Sequence, residues 1–184
     1  MTLVIVGLGN PGREYAETRH NAGLTLLEYC SARMGISLDR NQGDFVFGEG
    51  IWKGRKLILV FPLTYMNMSG RVIPWLRKKG VQDPGTCLIL QDDLDTPFGV
   101  VRFREKGRSG GQKGVESIIK AAGSTDIPRI KIGIGRPLVI GGDVSQYVLS
   151  HFSKEERERL PALMDFGYSL IEKWVLAHSS DIED

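Results

Sequence analysis

Four polar side chains lie just beyond apolar runs, and their types are those an ester-hydrolysing site would use. Asn10 follows "LVIV" (Leu3 to Val6), and His20 and Asn21 lie in "TRHNAG". Asn67 lies in "PLTYMNMSG" after "LILVF", and Asp92 opens "DDLDTPFG" after "CLILQ". A neutral imidazole can take a proton from water, and a carboxylate can fix the imidazole's tautomer. Amide N–H groups can hold a carbonyl oxygen as charge develops on it. Each residue alone has a plainer role: Asn10 and Asn67 as turn formers, Asp92 as a cap, His20 as a surface side chain. What joins them is their placement, because ligand groups in open α/β sheets collect at the C-terminal ends of strands.

Two other chemistries can be read from the letters. "VGLGNPG" is G-x-G-x-x-G after a strand, the form of a dinucleotide-binding turn. Such a turn needs N–H groups facing a pyrophosphate, and a second strand ending in an acidic residue about 20 positions on. Here Pro11 removes a donor, and "REYAETRHNAG" leads into the helical pattern "LTLLEYCSARMG" with no such strand. Gly107 to Gly111, "GRSGG", matches a nucleophile elbow, with Asp143 and His151 downstream in the order of a Ser–Asp–His triad. Yet the preceding run carries Arg102 and Arg104, where an elbow tops a buried strand. "KGRSGGQKG" reads better as a basic glycine loop entering a helix, of the kind that cradles phosphates.

The elements that must position these groups alternate between strand and helix. Leu3 to Val6, Lys56 to Phe61 and Cys87 to Gln91 are short apolar runs of buried-strand type. Val100 to Arg104 alternates and suits a strand with one wet face, and Ile130, Ile132 and Ile134 share one side at period two. Leu24, Leu27 and Met34 share a helix face, as do Val115, Ile118, Ile119 and Ala122. A final helix starts at a capping box, Ser153 with Glu156, and Pro161 is expected to kink it or delay its start. The expected fold is one α/β domain over residues 1–184: a twisted, mostly parallel (mixed) central sheet with helices on both faces, and a helical C-terminal segment from about 153.

Composition narrows the function classes. With 184 residues, 41% hydrophobic and 25% charged, the chain is an ordinary globular length and balance, so disorder is excluded. No apolar run approaches the roughly 20 residues of a membrane span. The opening residues show no secretory leader, and Cys30 and Cys87 suit reduced thiols, so a cytoplasmic location is expected. His20, His151 and His178 show no metal-ligand spacing. Charge is uneven: residues 102–136 hold nine basic and three acidic side chains, a balance of +6, while residues 153–184 balance at −4. The positive block is either a solvated face or a surface for a polyanion.

"VGLGNPGREYAETRHNAG", "TYMNMSG", "DDLDTPFG", "GRSGGQKG" and "IKIGIGRP" follow one another over residues 3 to 137. In this order they resemble the motifs of bacterial-type peptidyl-tRNA hydrolases. The resemblance implies cleavage of the ester between a peptide and the 3'-terminal ribose of tRNA. It implies a general base at His20, held by Asp92, with Asn10 and Asn67 binding the peptide end and the attacking water. The first glycines and Pro11 then shape a turn that presents Asn10, with no cofactor and no metal. Tyr15, Asn21 and Met66 are expected to line the substrate groove, and Arg104 and Lys131 to contact phosphate of the tRNA. The expected partner is peptide-bearing tRNA, bound by a monomer. One departure stands out: where the family often has G-G-H-N-G, this chain has "GGQKG". Lys113 replaces an asparagine that contributes to the site. An ammonium can donate to an oxyanion or a phosphate but cannot accept, so Lys113 is expected to donate to substrate.

Overall fold

A computed structural model describes residues 1–178. Four strands run parallel at the centre: β4 (Arg55–Pro62), β1 (Thr2–Gly7), β5 (Cys87–Asp93) and β7 (Arg129–Gly133). Beside β4 lie β3 (Phe45–Trp52) and then β2 (Arg40–Gln42), both antiparallel to their neighbours. β6 (Val101–Arg104) runs antiparallel to β7 at the other edge. The order is β2-β3-β4-β1-β5-β7-β6. Because the four central strands are parallel, their C-terminal ends share one edge of the sheet.

Both faces of the sheet are covered, so β1, β4 and β5 hold unbroken apolar runs (Leu3 to Val6, Leu57 to Phe61, Cys87 to Leu90), while β7 alternates isoleucines with Arg129 and Lys131. Leu3, Ile5, Leu57, Leu59, Leu88, Leu90, Ile130 and Ile132 face one layer, built from α1 (Ala22–Met34) and α5 (Lys154–Ala177). Val4, Val6, Ile58, Val60 and Ile89 face the other, built from α2 (Val72–Lys78) and α3 (Lys113–Ala122). A one-residue turn of the chain thus assigns each side chain to a layer. A short α4 (Val144–Val148) follows β7 and leads into α5.

Three features differ from the reading of the sequence. The hairpin strand β3 is masked in the sequence by Gly48 and Gly50, which interrupt its alternation. A Cβ on Gly48 would lie 2.1 Å from the Ser37 carbonyl oxygen, and one on Gly50 would lie 2.8 Å from the Ile36 side chain. The strand therefore gives up side chains so that the segment after α1 can cross it. α5 starts at Lys154 and continues through Pro161, so the proline does not delay it. The Ser153–Glu156 capping box fixes the start, both of its hydrogen bonds being present. Finally, β6 is wet on both sides: Val101 alone is buried, and Phe103 stays exposed.

Candidate active site

The C-terminal edge of the parallel strands opens into a cavity of about 480 Å³. Asn10 enters it from beyond β1, Tyr65, Met66 and Asn67 from beyond β4, and Asp92, Asp93 and Leu94 from β5 and its end. His20 comes from the turn Arg19–Asn21 that precedes α1, and Gln112 and Lys113 come from the start of α3. Arg136 and α4, through Val144, Ser145 and Val148, complete the wall.

At the centre, His20 Nδ1 lies 2.8 Å from Asp92 Oδ2, with the two side chains 13% and 3% exposed. The partners of Asp92 decide the tautomer. Its Oδ1 accepts from Gln112 Nε2 at 2.9 Å, and the Gln112 amide cannot turn round, because its Oε1 accepts from Val115 N at 2.9 Å. Asp92 is thereby an acceptor on both oxygens. His20 Nδ1 must carry the proton toward it, which leaves the lone pair on Nε2. Nε2 has no hydrogen-bond partner among the described residues.

Asn10 is held as firmly. Its backbone N–H donates to Asn21 Oδ1 (2.8 Å), and its carbonyl accepts from Asn21 Nδ2 (3.0 Å). Its side-chain Oδ1 accepts from Met66 N at 2.8 Å. Only the Nδ2 donors remain, and Asn10 lines the cavity. Asn67 is exposed on the cavity wall with an amide that meets no partner among the described residues.

The other expected site residues fall into three groups. Met66 and Lys113 line the cavity. Asn21 and Tyr15 do not. The Asn21 amide accepts from Asn10 N–H through Oδ1 and donates to the Asn10 carbonyl through Nδ2, and its side chain is buried behind the cavity lining, so it positions that residue. The Tyr15 carbonyl anchors Thr18 just before the His20 turn. Arg104 and Lys131 lie outside the cavity on the β6–β7 edge. There Arg102 stands opposite Lys131, and Arg104 opposite Arg129. Directly opposed residues of an antiparallel pair share a face, so four cations lie on one side; Arg102 and Arg104 are exposed and Lys131 half-buried, while Arg129 is buried and donates to the Arg108 carbonyl. Asp93, which lines the cavity, sits 3.3 Å from Lys131 Nζ and joins this face to the site.

Gln112, which touches Asp92 directly, is not among the site residues expected from the sequence. A glutamine two positions before the first buried residue of a helix is a weak signal for a cap, since the favoured caps are shorter.

The rival groups are engaged elsewhere. Ser109 Oγ accepts from Gly111 N, and Asp143 caps α4 through Ser145 N and Gln146 N. His151 pairs with Thr18 through the backbone. Among the described residues no hydrogen bond links the three. Burial pushes the thiols of Cys30 and Cys87 up to about 12, which leaves neither as a nucleophile near neutrality. A larger cavity of about 570 Å³, beside Phe103, Lys106, Trp174 and His178, has no catalytic pairing: His178 Nδ1 bonds to the Trp174 carbonyl of its own helix. No group of three or more His, Cys, Asp or Glu among the described residues could hold a metal ion, and no described helix is long and apolar enough to cross a membrane.

Residues 4–182 match the family model described as peptidyl-tRNA hydrolase. A relative so named from Geobacter sulfurreducens is 42% identical over 176 residues, covering 96% of this chain and 90% of its own. One from Bacillus subtilis is 42% identical, covering 89% and 86%. The crystal structure of peptidyl-tRNA hydrolase from Acinetobacter baumannii superposes with a TM-score of 0.89 at 35% identity, over 97% of this chain and 90% of that one.

Proposed function

This chain belongs to the peptidyl-tRNA hydrolase family and hydrolyses peptidyl-tRNA, and from that premise we propose that His20 is its general base, Asp92 the group that orients it, and Asn10 and Asn67 the amides that hold the reacting end. Water between His20 Nε2 and the ester carbonyl gives up a proton to Nε2 as its oxygen attacks the carbonyl carbon. Asp92 Oδ2, 2.8 Å from Nδ1, stabilises the imidazolium that forms. The Asn10 Nδ2 donors, turned outward because Oδ1 is bound to Met66 N, are available to the carbonyl oxygen. Collapse of the tetrahedral intermediate breaks the bond to the ribose oxygen, which takes the proton back from Nε2. The products are a peptide carboxylic acid, which loses its remaining water-derived proton to solvent, and a free 3'-terminal ribose hydroxyl.

Lys113, exposed on the wall at the start of α3, supplies a charged donor to substrate where the family often has an amide. Of the cations on the β6–β7 edge, Arg102, Arg104 and Lys131 take the tRNA phosphates, while the buried Arg129 donates to the Arg108 carbonyl. The unfavourable pairing of Arg102 with Lys131 is relieved when an anion lies over them. The site is complete within one chain, in keeping with a monomer. Two buried free thiols suit the cytoplasm, where translation runs.

The observation that carries this reading is the His20–Asp92 contact with Nε2 unpaired. His20→Ala should slow turnover of a peptidyl-tRNA by about 10²–10⁴ while tRNA binding persists. Ser109→Ala should leave turnover intact. The reverse pattern would move the chemistry to the glycine loop.

A further inference from the structure

His20 stands between two buried polar neighbours, Arg19 at 8% and Asn21 at 2% exposure. Asn21 turns toward Asn10. Arg19 turns the other way, to the junction of α4 and α5. Its Nη1 donates to Ser150 Oγ at 2.7 Å and to the His151 carbonyl, and its Nη2 pairs with Glu156 Oε2 at 2.6 Å. The guanidinium lies 4.6 Å from the centroid of the Tyr147 ring and 5.4 Å from that of Phe152. The backbone joins the same contact: Arg19 N donates to the Ser150 carbonyl at 3.0 Å, and Thr18 bridges to His151. Glu156 is itself fixed, because the same Oε2 accepts from Ser153 N at 2.7 Å in the capping box of α5.

A buried ion pair is a poor device for stability alone, since desolvation of both charges offsets much of their attraction. What it supplies is direction. A planar fork of donors, seated on an aromatic ring, restricts the backbone that carries it to a narrow range of placements. Arg19 does not line the cavity, yet it immediately precedes the imidazole that does. We propose that Arg19 and Glu156 are positioning residues for the hydrolysis, locking the Arg19–Asn21 turn to the first turn of α5 so that His20 meets Asp92 with Nε2 toward the cavity. This rests on the reading that His20 is the general base. A misplacement of about 1 Å in a reacting group can cost on the order of a hundredfold in rate, so a loosened turn is felt in the chemical step.

The test is Arg19→Lys, which keeps the charge and loses the fork, in hydrolysis of a peptidyl-tRNA. Because Arg19 touches no substrate, kcat should fall about ten- to hundredfold with KM within about twofold of the wild type. In single turnover on the His20→Ala background, the same change should cost less than about twofold further, since no imidazole is left to aim. The low-field proton signal of His20 Nδ1–H, held by Asp92, should broaden or vanish in folded Arg19→Lys. Ile171→Val trims the buried side of α5 about four turns beyond Glu156. It should lower the melting temperature and leave both kcat and that signal alone. Should Arg19→Lys fail to fold, Glu156→Gln carries the same test. It keeps an oxygen for the Ser153 cap and withdraws the charge facing Arg19, so kcat should fall about three- to tenfold at constant KM. Unchanged kcat, a raised KM with kcat intact, or an undiminished further loss on the His20→Ala background overturns the proposal. Full activity of His20→Ala would overturn the general-base reading and the clamp with it. An inactive His20→Ala beside a fully active Arg19→Lys removes the clamp alone.

Discussion

Gln112 Nε2 donates to Asp92 Oδ1 over 2.9 Å, and the same amide caps α3 by accepting from Val115 N. One side chain therefore ties the start of a helix to the carboxylate that orients His20. The polarity of the whole chain of bonds, from Val115 to Nε2 of His20, follows from a backbone N–H that can only donate. Asp92 is 3% exposed, so an oxygen deprived of its partner has little water to turn to.

Gln112→Ala should accordingly lower kcat by about ten- to hundredfold with KM little changed, since a hydrogen bond to a charged group is worth roughly 1.5–3 kcal/mol. Gln112→Glu should be worse. It keeps the cap but sets a second carboxylate against Asp92, which raises the cost of keeping both ionised. Steady-state kinetics of the two variants on one peptidyl-tRNA checks this. Equal activity of the glutamate variant and wild type would show that Asp92 needs no donor.

Asn21 holds Asn10 by two buried hydrogen bonds and touches no substrate in this account. Asn21→Asp should destabilise the protein by about 1–3 kcal/mol, because an oxygen then faces the Asn10 carbonyl. Thermal unfolding measures that loss. Turnover should fall with it even where the protein remains folded, as the Asn10 amide loses its fixed aim. A variant of unchanged melting temperature would deny the positioning role.

The sequence made much of this visible, and its blind spots have physical causes. Asn10, Asn67 and Asp92 were legible because parallel strands bring their C-terminal ends to one edge, so polar residues after apolar runs must meet. β1, β4 and β5 were legible as unbroken apolar runs because both faces are covered. β3 was not, since Gly48 and Gly50 answer to a crossing segment far from them in its own pattern. The task of Asn21 was hidden for a similar reason. Its type allows contact with substrate, and only the fold shows that its amide bonds to Asn10 behind the cavity lining. Gln112 gave a weak signal because long side chains rarely cap, and its tie to Asp92 spans twenty residues of sequence.

The β6–β7 edge gives a prediction of another kind. Arg102 and Lys131, and Arg104 and Arg129, stand opposite one another, and Lys131 is drawn toward Asp93. Arg102→Ala, Arg104→Ala and Lys131→Ala should each weaken tRNA binding. Each should also reduce the slope of log K against log salt by about one unit, as expected for loss of one phosphate contact. Turnover of a short ester without the tRNA stem should be unaffected. Slopes equal to that of the wild type would mean that these cations serve the sheet and not the ligand.

The central claim is that His20 and Asp92 act as one catalytic unit. The most direct measurement is a double-mutant cycle in single-turnover hydrolysis of a peptidyl-tRNA, with wild type, His20→Ala, Asp92→Asn and the double variant. Residues that work through each other are strongly non-additive. The double variant should therefore be about as slow as His20→Ala alone, since Asp92 has nothing to orient once the imidazole is gone. A double variant slower by the product of the two single losses would contradict the account and give Asp92 a part in the reaction independent of His20.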